Sequence, residues 1–205
     1  MVTLPFLEPS VPSSFSLGQL IVLAGPSGVG KGTLLNHLLK RHPELEVSVS
    51  ATTRSPRAGE INGKHYYFVS HAQFQTMIEN GDLLEWAEFA GNFYGTPKQP
   101  IERAIAQGRQ VILEIELIGA RQVRTSLPMA KQIFVLPPDE SALEERIRSR
   151  GQDSEEAIAR RLTQSKVELA AADEFDVQIV NDHLETAIAE LERAIFGKAI
   201  RDSTA

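Results

Sequence analysis

"LIVLAGPSGVGKGT", Leu20 to Thr33, governs how the rest of the chain is read. Five apolar residues run into a turn holding three glycines, a proline and a lysine, after which apolar residues return at helical spacing. A glycine turn between strand and helix sets consecutive main-chain N–H groups in a concave row, with the partial positive charge of the helix start behind it. Such a row holds phosphate. Gly25, Gly28 and Gly30 permit positive φ and let a ligand approach the backbone, while Lys31 reaches the β- and γ-phosphates as a point charge. Gly25-x-x-x-x-Gly30-Lys31 is the P-loop pattern, and the expected cradle comprises Gly25, Pro26, Ser27, Gly28, Val29, Gly30, Lys31, Gly32 and Thr33. A plain strand-to-helix turn would leave the lysine unexplained.

Composition sets the bounds around that loop. A chain of 205 residues, 42% hydrophobic and 23% charged, matches an ordinary soluble globule of one domain with room for appended lobes. A net charge of −6 argues against a nucleic-acid or membrane-surface binder, whose footprints are basic, so any anion site is local. The absence of cysteine rules out disulfides and thiolate metal sites and suits a reducing cytoplasm. No apolar run reaches the roughly 20 residues of a membrane span. Residues 1–17, rich in proline and serine, read as a flexible arm, and 198–205 as a tail. The histidines, His37, His42, His65, His71 and His183, have no ligand spacing and are expected on the surface or on helix faces; no metal-binding side chain is expected.

Buried-strand runs alternate with helices, the pattern of a parallel sheet wrapped on both faces. The clearest strands are 19–24, 110–117, 131–136 and 176–180; helices are expected over Lys31–Arg41 and His183–Phe196, and from a capping box at Ser70 and Gln73 to a stop at Gly81. Between Ser48 and Tyr94 the pattern turns short and alternating. Asn62–Gly63 signals a type I′ hairpin there, and "WAEFAGNFYG" a second hairpin. Residues 143–172 read as two charged helices broken at Gly151, restarting on Asp153 and Glu156. The expected fold is α/β: a P-loop parallel-sheet core (18–49, 97–142, 173–197) with helices on both faces, an inserted β-rich lobe (50–96) and a helical lid (143–172).

Phosphoryl transfer is mostly positioning and charge neutralisation, so a second anion site must face the first. "SATTRSPRAGEINGKHYYF" (50–68) offers Arg54 and Arg57 among Ser50, Thr52, Thr53 and Ser55, with Tyr66 adding a phenol. A solvated hairpin is the plain alternative for these arginines. Downstream, "EWAEFAGNFYGTP" supplies Glu85, Tyr94 and Thr96. Guanine presents two adjacent donors beside an acceptor, so one carboxylate and one hydroxyl read it, whereas adenine has the opposite polarity at that edge. Alternation alone would turn Glu85 to solvent.

Together, "GPSGVGKGTLL", "SATTRSPRAGEINGKHYYF", "EWAEFAGNFYGTP" and "SRGQDSEEAIARRL…IVND" resemble guanylate kinases, in that order and over residues 18–197. The resemblance implies transfer of the γ-phosphoryl group of ATP to GMP with Mg²⁺, in the cytoplasm, dGMP acceptance being left open, by a monomer or small homo-oligomer. It implies that Ser50, Glu85 and Thr96 read guanine and that Arg54, Arg57, Tyr66 and Tyr94 hold the GMP phosphate. Lys31, Arg54 and the lid arginines Arg150 and Arg161 fall at the family's catalytic positions, and Asn181 where ATP's adenine is approached. Two positions depart from the family. Gly32 stands where Ser or Thr touches Mg²⁺; "GKGT" resembles adenylate-kinase-type loops in this, and water and phosphate oxygens are expected to hold the metal. "LEIE" replaces "LDID", placing Glu114 and Glu116 where aspartates are common, with Glu116 still expected to help orient guanine. A phosphopeptide-binding module of the same fold and a kinase for another acceptor such as AMP are the alternatives; the intact loop speaks against the first, and Ser50, Glu85 and Thr96 against the second.

Overall fold

A strand with no polar face is stable only where both its sides are covered. Leu20, Ile21, Val22 and Leu23 are each at most 1% exposed in the computed structural model, which describes residues 18–149 and 154–197. In chain order the elements are β1 (Gln19–Ala24), α1 (Lys31–Arg41), β2 (Glu46–Val47), β3 (Ala51–Thr52), β4 (Tyr67–Phe68), α2 (His71–Glu79), β5 (Leu83–Phe89), β6 (Asn92–Pro97) and α3 (Lys98–Ala106). There follow β7 (Gln110–Glu114), α4 (Leu117–Ser126), β8 (Lys131–Leu136), α5 (Glu140–Arg148), α6 (Glu155–Leu169), β9 (Val177–Val180) and α7 (Leu184–Phe196).

The core is a five-stranded parallel sheet ordered β2-β7-β1-β8-β9. Alternation along β1 divides the packing: Ile21 and Leu23 join Leu34 and Leu38 of α1 and Ile188 and Leu191 of α7, while Leu20 and Val22 join Ile101 of α3 and Leu117 and Val123 of α4. From β1 the sheet runs to β7 on one side and β8 on the other. The crevice at the carboxyl end of a strand so placed is where open α/β sheets bind ligands, and the glycine turn sits there.

A second sheet, β4-β3-β6-β5, is inserted between β2 and α3 and carries its own small core of Ala51, Phe74 and Leu83 with Phe93 stacked on Phe74. The tight hairpin lies at Ala90–Gly91, where φ of 50° and 74° match a type I′ turn. The hairpin expected at Asn62–Gly63 does not form. Asn62 lacks the positive φ such a turn needs, its Oδ1 instead accepts from the Phe68 N–H at 2.9 Å, and β3 and β4 pair in parallel.

The remaining helix ends follow side-chain chemistry. α2 has the expected capping box, Ser70 with Gln73, and a positive φ at Gly81. The strand expected over 110–117 stops at Glu114, because Glu116 becomes the N-cap of α4. Helix α6 restarts on Ser154, whose Oγ accepts from the Ala157 N–H at 3.3 Å. Gly151 and Asp153, expected to break and recap that segment, lie outside the described residues, as do the arm 1–17, Arg150 and the tail 198–205. His42, expected on the surface or on a helix face, is 8% exposed just past the end of α1, its ring nitrogens 3.1 Å from Glu44 Oε1 and Glu192 Oε1. No helix among the described residues is long and apolar enough to cross a membrane.

Candidate active site

The loop after β1 is shaped by contacts that exclude side chains. At Gly25 (φ 145°) a Cβ would lie 2.5 Å from the Val135 carbonyl oxygen, and at Gly30 (φ 103°) 2.5 Å from Asn181 Nδ2. Gly30 is also the N-cap of α1, which has no side-chain cap and no acidic residue in its first turn, so its leading amides face the cleft. The loop is held from behind. Asn181 Nδ2 donates to the Val29 carbonyl at 2.8 Å, and Arg146 spans Val29 O and Asn181 O at 3.1 and 2.9 Å. Asn181 is thus a strap on the phosphate loop as well as a neighbour of it. Arg146 carries no motif signal in the sequence, since an arginine in a charged helix looks like any other.

Lys31 Nζ donates to Gly25 O at 2.5 Å and Pro26 O at 3.3 Å, and Arg161 Nη2 donates to Ser27 Oγ at 2.8 Å. Both cations therefore rest on the loop itself. Glu114 reaches the same place: its Oε1 is 4.0 Å from where a side chain at Gly32 would begin. Although Glu114 is open to solvent, the protein crowded around its carboxyl pushes it above the usual carboxylate range, and Lys31 opposes this. Two turns beyond Arg161 on α6, Glu168 is 4% exposed. Its Oε1 accepts from Gln164 Nε2 at 3.3 Å, and its Oε2 has no hydrogen-bond partner among the described residues. Burial pushes this carboxyl up; Glu116 adds to the push, and Gln164, Lys31 and the Ser27 amide resist it.

On the inserted sheet, a bulge between Leu83 and Glu85 sets Glu85 directly opposite Thr96. Thr96 Oγ1 donates to Glu85 Oε1 at 2.6 Å in a buried pair, and burial pushes the Glu85 carboxyl up against that hydrogen bond. Alternation pointed this residue outward; the bulge turns it in. Arg54 forms two bonds to Glu60, 3.0 and 2.8 Å, and lies over the rings of Tyr66 and Phe68 at 5.5 and 5.8 Å. Glu60 also accepts from the Arg57 N–H, and these bonds, Arg54's first, hold its carboxyl at about 2. Arg57 is exposed, Ser50 is half-buried beside β3, and the Tyr66 and Tyr94 rings meet edge-on at 6.1 Å. The hydroxyls of Thr52 and Thr53 accept from the Arg54 and Phe93 amides, so they brace the backbone rather than line an anion site as the sequence suggested.

The two sets meet at one residue. A cleft of ≈630 Å³ is lined by Pro26, Ser27, Gly28 and Gly30 to Thr33 of the loop, by Glu114 and Glu116, and from the inserted lobe by Tyr66, the ring on which Arg54 rests. Glu116 therefore faces the phosphate loop, whereas Glu85 lies against Gly119 further along α4. A larger hollow of ≈820 Å³, walled by Ala51, Tyr67, Met77 and Lys98, carries none of these groups, so size does not mark the site.

Residues 17–198 match the family model described as guanylate kinase. A guanylate kinase of Thermosynechococcus vestitus is 67% identical over 182 residues, 89% of this chain and 95% of that protein. One from a Nostoc species is 62% identical over 180 residues, 88% and 90% of the two chains. The crystal structure of guanylate kinase from Anaplasma phagocytophilum aligns with a TM-score of 0.68 and 31% identity, covering 91% of this chain and 89% of that one.

Proposed function

The chain belongs to the guanylate kinase family, and from that we infer how its cleft works. The reaction is ATP-dependent phosphorylation of GMP, giving ADP and GDP. The observation that supports the assignment of residues is a cleft shared by the amide-lined loop and Tyr66, the ring on which Arg54 rests, with the buried pair Glu85–Thr96 on the same inserted lobe, beside Gly119 of α4.

ATP's phosphates lie in the loop from Gly25 to Thr33 over the start of α1, with the adenine towards Asn181. GMP lies under the inserted sheet, its phosphate on Arg54, Arg57, Tyr66 and Tyr94, its base on Glu85, Thr96 and Ser50. Residues 50–96 form the acceptor lobe and 143–172 the lid. GMP is already an anionic nucleophile, so no covalent intermediate is needed: a phosphate oxygen attacks the γ-phosphorus in line as the bond to the β-phosphate oxygen breaks. Lys31 leaves the carbonyls of Gly25 and Pro26 for the phosphates, and Arg161 turns from Ser27 to the migrating group, both neutralising charge where it develops. Both nucleotides must shed water first, which closure of lobe and lid provides.

Among the described residues no group of three or more His, Asp and Glu side chains could hold a metal by itself. Mg²⁺ needs no such cage: one or two carboxylates, phosphate oxygens and water suffice. Glu114, beside the missing hydroxyl of Gly32, is the carboxylate that would face it, and bound Mg²⁺ would supply further neutralisation of the phosphates. An ADP-release assay over a panel of nucleoside monophosphates tests the reading. ATP turnover should depend on GMP and stay near background with AMP; equal rates with both would overturn the assignment of Glu85 and Thr96.

A further inference from the structure

Gly119 lies in the first turn of α4 with an ordinary helical backbone, not the left-handed one that demands glycine. Only proline is a poorer helix former, so something other than the backbone keeps a side chain from this position. A Cβ at Gly119 would lie 3.0 Å from Glu85 Oε2 and 3.5 Å from its Cδ, with Ile115 Cδ1 at 3.3 Å. Oε2 is the oxygen not engaged by Thr96.

The strand cannot move aside to make room. On one side of Glu85 the Leu84 carbonyl accepts from Ser126 Oγ at 2.7 Å. On the other, the Trp86 N–H donates to Gln122 Oε1 at 2.9 Å and the Trp86 carbonyl accepts from Gln122 Nε2 at 2.8 Å. Gln122 and Ser126 belong to α4, as Gly119 does. Helix and strand are thus clamped together on both flanks of the acid, and a methyl group introduced between them must displace the carboxylate.

We propose that Gly119 is a positioning residue for acceptor selection: its missing side chain fixes where the second oxygen of Glu85 lies and so how the acid meets the two neighbouring donors of a guanine. The proposal rests on the reading that Glu85 recognises the base. A carboxylate accepting two parallel N–H groups tolerates little displacement, and Thr96 already holds its other oxygen, so the strain falls on Oε2.

The test is Gly119→Ala, in the native chain and in Glu85→Ala. In the native background the GMP KM should rise about tenfold with the ATP KM unchanged and the fold intact. In the Glu85→Ala background the same change should add nothing, since there is no carboxylate to displace. An unchanged GMP KM in folded Gly119→Ala, or an equal rise in both backgrounds, overturns the proposal. Should Gly119→Ala fail to fold, the double variant must fold; its failure as well would place the clash elsewhere and equally overturn it. If Glu85→Ala by itself keeps the preference for GMP over AMP, the base reading is what fails, and the difference in melting temperature that Gly119→Ala makes between the two backgrounds still reports the contact.

Discussion

The glycine loop and the inserted lobe are made of different material. The phosphate loop is main chain: amides at the start of α1, carbonyls that hold Lys31, and glycines where a Cβ would strike Val135 or Asn181. The half proposed for the acceptor is side chain: Arg54 on Glu60 and Tyr66, and Glu85 on Thr96. A cradle of amides recognises any phosphate and discriminates little. A cradle of side chains can be tuned to one base, but each member must be held by another.

The contrast is tested most severely at Lys31 and Arg161. Either residue replaced by alanine should lower kcat by about 10²–10³-fold while the GMP dissociation constant barely moves, as steady-state kinetics and calorimetry would show. A matching loss of GMP affinity would mean that the two halves are not separable.

Glu85→Ala should act in the opposite sense, reducing the preference for GMP over AMP by about 10²-fold with kcat for saturating GMP affected less. The same residue predicts a pH effect. Its carboxyl is raised by burial, so it takes up a proton at a higher pH than an ordinary glutamate, and protonation turns an acceptor into a donor facing guanine's own donors. As pH falls, kcat/KM for GMP should therefore drop above the normal carboxylate range, and Glu85→Gln should remove that limb of the profile.

The smallest expected effect separates folding from catalysis. Glu168 is buried with one oxygen unpartnered, and its folded-state carboxyl is raised, so it favours the fold below the unfolded value and that contribution is lost as pH rises through the folded one. Glu168→Gln should raise stability at neutral pH by about 1–3 kcal/mol, seen as a higher melting temperature that no longer falls towards alkaline pH. A lower melting temperature would show that the charge on Glu168 supports the loop it faces.

What could be read from the sequence follows the same division. The loop, α1 and the central strands were legible because local pattern determines them: an apolar run, glycines at fixed spacing, a helical stripe. The capping box of Ser70 and Gln73 is equally local. The inserted sheet was harder. Asn62–Gly63 carries the stronger hairpin signal, yet the type I′ turn forms at Ala90–Gly91, within the second expected hairpin, where cross-strand pairing of β5 and β6 fixes it. The burial of Glu85 depends on a bulge, and the roles of Arg146 and Gln122 on partners 35 or more residues away, which spacing does not reveal. The strand expected through Glu116 ends early because the chain becomes the N-cap of α4 two residues after the last pair of β1 with β7.

The double bond of Gln122 to Trp86 has a consequence outside the cleft. β5 is the outermost strand of the inserted sheet, and such a margin, left bare, invites a foreign strand to add itself. With the Gln122 amide standing in for a neighbouring peptide group and the Ser126 hydroxyl filling the position before it, the first part of that margin, Leu84 to Trp86, is already satisfied from within.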